Sequence, residues 1–152
     1  MIRSESEYQE ALRRVEHDRE IARQQHEALG AAGLSPEEID HALQPLRSFQ
    51  AQLQEEVAWY ESVRRGTLPP IRRLTDLGRL LTALRIARGL TQRQMAEQLN
   101  VAESVVSRDE RNEYHGITIE RAQRILDALG VSTVTQVDEQ SMARAPMPAG
   151  SH

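Results

Sequence analysis

The 152-residue chain contains no cysteine and no lysine. Without cysteine there is no disulfide framework and no thiolate metal site. No apolar run near the N-terminus is long enough for a signal peptide or a membrane span, so a cytoplasmic protein without a membrane partner is expected. Aromatic residues are scarce, and the single Trp59 beside Tyr60 stands out as a candidate contact. Catalytic arrangements are also missing. The five histidines lie scattered at positions 17, 26, 41, 115 and 152, with no His-Glu-x-x-His pattern and no Gly-rich phosphate loop. His17 and His26 are nine residues apart, not the four that align metal ligands on a helix. Ser107 and Asp109 are merely turn-spaced. Neither an enzyme nor a bound metal or cofactor is expected.

What the chain does have is a stretch, residues 90–106, that reads as two short helices around one tight turn. Thr91 is a good N-cap, and Gln94 completes a Thr-x-x-Gln capping box, so a helix should begin at Gln92. Met95, Ala96 and Leu99 share a face, and the small Ala96 admits a crossing helix. Asn100 suits the left-handed backbone that ends the first helix, with Val101 expected to plug the corner. A second helix over about 102–111 anchors on Val106 and leaves Glu103, Ser104, Ser107 and Arg108 outward.

The flanks carry matching helices. Asp76 is placed to cap one in which Leu77, Leu80, Leu81 and Leu84 recur at three- and four-residue spacing, with Gly89 past its end. Thr118 caps another over 119–129, with Ile119, Ala122, Ile125, Leu126 and Leu129 on one stripe and Gly130 as the stop. Four such helices make a compact unit of roughly 60 residues, a viable size for a small all-helical core. The net charge of -4 conceals an asymmetry. Residues 1–65 hold 8 Arg against 13 carboxylates, a balance of -5; residues 66–135 hold 10 Arg against 8, a balance of +2. The positive balance sits with the four-helix unit, and Arg72, Arg73, Arg93, Arg108 and Arg111 form a modest electrostatic footprint for phosphates.

Gly89-Leu90-Thr91-Gln92, Met95-Ala96, Leu99-Asn100-Val101, Val106-Ser107-Arg108, Glu110 and Ala128-Leu129-Gly130-Val131 together resemble the phage-repressor and Cro type of helix-turn-helix, the xenobiotic-response-element family. The resemblance covers about residues 76–131. It implies that Gln92 touches DNA while its backbone N–H meets a phosphate. Glu103, Ser104, Val105 and Arg108 would face base edges in the major groove. Thr91, Arg93, Ser107, Arg111, Tyr114 and His115 would approach the DNA backbone, and Arg85 and Glu110 would form a structural ion pair. Two residues depart from the pattern. Asp109 stands where an apolar or aromatic residue usually seals the third helix, so it must find an Arg or reach solvent. Glu103 stands where Arg, Gln or Ser is usual. It either accepts from cytosine N4 or complements the helix dipole.

The N-terminal 65 residues read as a long helical hairpin. Ser4 and Glu7 suggest a capping box, followed by a thin stripe of Tyr8, Ala11, Leu12, Val15, Ala22 and Leu29. Ser35-Pro36-Glu37-Glu38 starts a second helix strongly. Its Ile39, Leu43, Leu46, Phe49, Leu53, Val57 and Tyr60 recur at close to 3.5-residue spacing, and Pro45 should kink or split it. A two-helix hairpin cannot hide so wide a stripe. Leu43, Leu46, Phe49, Leu53, Val57 and Tyr60 are therefore expected at an interface with a second copy or another protein; folding back onto the four-helix unit is the alternative. Residues 66–74, with Gly66 and Pro69-Pro70, read as a linker, 75–135 as the helix-turn-helix domain, and 136–152 as a disordered tail. The segment 131–137, Val-Ser-Thr-Val-Thr-Gln-Val, fits either a short strand or one helical turn.

The expected fold is thus all-α, a long hairpin followed by a compact helix-turn-helix domain of four or five helices. The expected function is a dimeric, sequence-specific regulator of transcription, a repressor on double-stranded DNA and hence at the nucleoid. An alternative rests on the opening Ser-Glu-x-Glu-Tyr-x-x-Ala-Leu at residues 4–12, which is similar to HigA-like antitoxins. In that reading the acidic hairpin binds a protein toxin.

Overall fold

The computed structural model describes residues 1–144. These form seven α-helices, one turn of 3-10 helix and no strand: α1 (Glu5–Ala31), α2 (Pro36–Arg64), the 3-10 turn (Leu74–Asp76), α3 (Leu77–Ala87), α4 (Gln92–Leu99), α5 (Glu103–Arg111), α6 (Ile119–Leu129) and α7 (Glu139–Arg144). No helix among the described residues is long and apolar enough to cross a membrane.

Helices α1 and α2 lie along each other as the hairpin. Ser4 caps α1 by accepting from the Glu7 N–H at 3.2 Å, but the Glu7 carboxylate accepts from the Arg3 N–H rather than from Ser4, so the expected box is offset by one residue. The box at Ser35 and Glu38 is complete. Helix α2 runs unbroken through Pro45, so of the expected kink or split the split does not occur. The missing N–H frees the carbonyl four residues back, at His41. Both residues lie on the exposed side of the helix, where a freed carbonyl costs least, and Arg47 reaches across the same turns to Asp40 at 2.7 Å.

The hairpin does fold back onto the rest of the chain, at its open end. Ile2, Ala11, Val57, Tyr60 and Val63 form one core with Ala83 and Ile86 of α3. Tyr8 stacks obliquely on Tyr60 at 5.0 Å and donates to Glu61 at 2.6 Å. A second core holds α3 to α6 together: Leu81, Leu84, Met95, Ala96, Val106, Tyr114, Ala122, Ile125, Leu126 and Leu129. Leu68 packs against both cores, so the 66–74 segment is pinned at one point. Burying apolar surface on opposite faces of α3 makes that helix the shared wall of the molecule.

Several local expectations are refined. Asp76 precedes α3 but makes no capping bond, because the 3-10 turn leaves it at φ -88°, ψ 1° instead of extended. Ile119 is exposed; as the first residue of α6 it projects beyond the core, and the buried stripe starts at Ala122. Residues 131–138 are neither strand nor helical turn, and 139–144 of the expected tail form α7, which buries nothing. The rest of that tail, 145–152, lies outside the described residues.

Candidate nucleic-acid interface

Thr91 accepts from the Gln94 N–H at 3.1 Å while Gln94 accepts from the Thr91 N–H at 2.9 Å, which fixes the start of α4. Asn100 then takes φ 54°, ψ 46° and turns the chain, and the Val101 N–H reaches back to the Ala96 carbonyl at 3.0 Å. Helix α5 begins three residues later. Met95 and Ala96 of α4 and Val106 of α5 are buried together in the core, so the two helices are held at one angle by direct packing.

Turning Val106 and Glu110 inward leaves Glu103, Ser104, Arg108 and Arg111 exposed on α5, with Val105 and Ser107 half-buried beside them. Arg108 has no carboxylate partner among the described residues, and Arg111 makes only a 3.5 Å contact to the Ser107 hydroxyl. On α4, Arg93 is exposed and lies 3.4 Å from Glu97. Arg72 and Arg73 are exposed on the linker, and His115 on the loop before α6.

Behind this surface lies a buried ion pair. Arg85 is 3% exposed and Glu110 1%. The Arg85 Nε donates to Glu110 Oε1 at 2.5 Å and its Nη2 to Glu110 Oε2 at 2.9 Å, a bidentate fork. Nη1 donates to the Leu90 carbonyl at 2.6 Å, and Nη2 also to the carbonyl of Arg3 at 2.8 Å. Gln92 Nε2 completes the set, donating to Glu110 Oε2 at 2.8 Å. Desolvating two charges is costly unless nearly all donors and acceptors are used; here four of the five Arg85 N–H groups and both Glu110 oxygens are bonded. The network joins α3, the start of α4, α5 and the segment before α1. Gln92, expected at a base edge, has its amide nitrogen turned to this network.

Residues 81–135 match a family model described as helix-turn-helix. This segment is a helix-turn-helix domain of the Cro/C1 type. The family is one of DNA-binding regulators. In the helix-turn-helix domain so defined, α4 is the supporting helix and α5 the one that displays side chains; the hairpin and the first turn of α3 lie outside the match. No curated protein and no solved structure shows significant similarity to the chain.

Three sequence expectations, two within the domain and one in the hairpin, need correction. Tyr114 is 5% exposed and belongs to the core, so its ring cannot lie against a phosphate. Its φ of 52°, following Glu113 at 51°, turns the side chain inward. Burial, then the nearby Glu110 and Asp109 carboxylates, push its hydroxyl above the usual tyrosine range. Val101 does not plug the corner; it is exposed and, with Leu99 and Val105, lines a cleft of about 270 Å³. Asp109, which accepts from Arg121 of α6 rather than sealing the helix as an apolar side chain would, lines the same cleft. The expected interface residues Leu43, Val57 and Tyr60 are buried within the single chain. Leu46 and Leu53 are half-buried, and Phe49 is 47% exposed, with the Arg14 guanidinium over its ring at 4.9 Å.

Sequence reasoning missed two supports. Ile2 and Arg3 clasp the domain from the N-terminal side, and nothing local marks them. Gly78 is buried in the first turn of α3, where an added Cβ would sit 1.8 Å from the Glu113 carbonyl oxygen. A glycine inside a helix, normally unfavourable, was the available signal.

Proposed function

We propose that the protein is a sequence-specific transcriptional repressor that acts as a dimer, with α5 in the major groove of each half-site. The observation that carries this reading is the row Glu103, Ser104, Arg108 and Arg111, exposed on a helix whose opposite side is locked by Val106 and the Glu110–Arg85 pair. A rigid helix of that kind positions hydrogen-bonding side chains at base edges, while Arg93, Arg111, Thr91, Ser107 and His115 contact phosphates alongside. The modest positive balance of the domain favours two readers on one site, since linking two weak contacts multiplies affinity. Occupancy of a promoter then blocks transcription. The test is retardation of duplex DNA, both from upstream of its own gene and of random sequence, at low salt. Retention of neither would overturn the reading.

A second reading, an antitoxin, is favoured by the excess of carboxylates on residues 1–65. An acidic surface there suits a basic toxin. Co-purification with a small basic protein encoded next to the gene supports it; a chain that purifies alone and binds DNA alone contradicts it.

A further inference from the structure

Between α6 and α7, residues 131–137 form a segment anchored only at its first residue, Val131, which packs against the core of α3 to α6. The Val131 N–H bonds the Leu126 carbonyl at 3.0 Å, and the backbones of residues 132–137 make no hydrogen bond to any described residue. Val134 is 95% exposed and Val137 66%. Five of these seven residues are Val or Thr, and none is charged, Gly or Pro. Branching at Cβ favours extended backbone, and a neutral, open-edged segment of this composition is one that folded proteins keep covered.

The sequence of the segment says by what. Read outward from Val134, it is nearly a palindrome: Thr133 mirrors Thr135, Ser132 mirrors Gln136, and Val131 mirrors Val137. Antiparallel pairing about a two-fold axis through Val134 sets every residue opposite its own mirror. One face then carries Val131 against Val137 of the partner subunit and Thr133 against Thr135 of the partner subunit. The other face carries Val134 against its own copy, flanked by Ser132 with Gln136. Val–Val and Thr–Thr cross-strand pairs are the favourable kind. The charges at the ends agree with this register. Asp138 falls opposite Gly130 of the partner subunit, and in each chain the Gly130 carbonyl holds the Arg88 guanidinium at 2.8 Å. This register brings the Asp138 carboxylate, whose Oδ1 also accepts from the Gln140 N–H of its own chain at 3.0 Å, toward a cation at both ends of the pair.

We propose that residues 131–137 pair with the same residues of a second copy as a two-stranded antiparallel ribbon centred on Val134, joining two helix-turn-helix domains just beyond α6. The inference rests on the DNA-reading proposal for its use, because it supplies the paired readers; its own chemistry is independent of DNA. An isologous contact of this kind closes at two copies.

The absence of cysteine makes the test clean. Three full-length variants, Val131→Cys, Val134→Cys and Val137→Cys, are oxidised without DNA and read on a non-reducing gel. In the ribbon the two copies of residue 134 face each other at about 5 Å between Cα atoms, within disulfide range. The two copies of residue 131, or of residue 137, lie about 20 Å apart. Val134→Cys is expected to become a reducible dimer while each of the others alone stays monomeric, and an equimolar mixture of Val131→Cys and Val137→Cys is expected to cross-link. If Val134→Cys cross-links no faster than the other two, or the mixture no better than its components, the ribbon is refuted. That result covers pairing in parallel, docking on another protein and folding back on the same chain. A chain that cross-links as expected but retards no duplex would keep the ribbon and lose the DNA reading.

Discussion

Arg85 sets the terms at the scale of single residues. It uses its guanidinium on α5, on the turn before α4 and on the segment before α1, so one side chain fixes the relation of three parts. Gly78 fixes a fourth. Gly to Ala in a helix ordinarily stabilises by up to about 1 kcal/mol, but here the new methyl meets a backbone carbonyl that cannot rotate away. Gly78→Ala is therefore expected to destabilise by about 2 kcal/mol or more, read as a lower urea midpoint; a raised midpoint would contradict the close approach. Tyr114 gives a pH dependence. Its hydroxyl titrates higher in the folded chain than in the unfolded one, so above the ordinary tyrosine value of about 10 the unfolded state sheds a proton that the folded state keeps. Stability contributed this way is complete below that pH and is lost as pH rises beyond it. Tyr114→Phe should unfold less steeply than the parent between neutral pH and pH above about 10, measured by denaturant midpoints; an identical slope would place the titration elsewhere.

At the scale of elements, the motif was legible because its signals are local. Thr91 with Gln94, Asn100 at the turn, Thr118 and Gly130 each act within one helical turn, and each stands where its chemistry required. The ion pair of Arg85 and Glu110 was legible only through the family resemblance, since nothing in either residue's neighbourhood marks it as buried. Tyr114, Val101 and Ile119 were misplaced because their positions depend on backbone sign or on partners across the core, such as Arg121 for Asp109. Helix α4 adds a test of its own. Arg93 is exposed on it and is expected to touch phosphate rather than bases, so Arg93→Ala should weaken binding to all duplexes alike and reduce the dependence of log K on log salt by about one unit. Loss confined to one sequence would mean that Arg93 reads bases.

At the scale of the whole molecule, α3 is the common wall. Its Leu81 and Leu84 face the helix-turn-helix core, and its Ala83 and Ile86 face the hairpin. The sequence alone left open whether the wide stripe of α2 meets a partner or the same chain, because a stripe records that a face is covered and not what covers it. At the open end of the hairpin, α3 covers it. Removing residues 1–65 would expose Ala83 and Ile86 and leave one Arg85 donor without the Arg3 carbonyl. The remaining chain should therefore melt at a lower temperature, as followed by circular dichroism. An unchanged melting temperature would mean that the hairpin is an independent unit.

The central claim is that the exposed row of α5 reads base sequence, and selection of bound duplexes from a random pool, followed by the affinity of Arg108→Ala for the selected site, tests it most directly. The account expects one enriched site, with Arg108→Ala losing about 1–3 kcal/mol on that site and far less on random duplex. An unenriched pool, or equal loss on both duplexes, would contradict it.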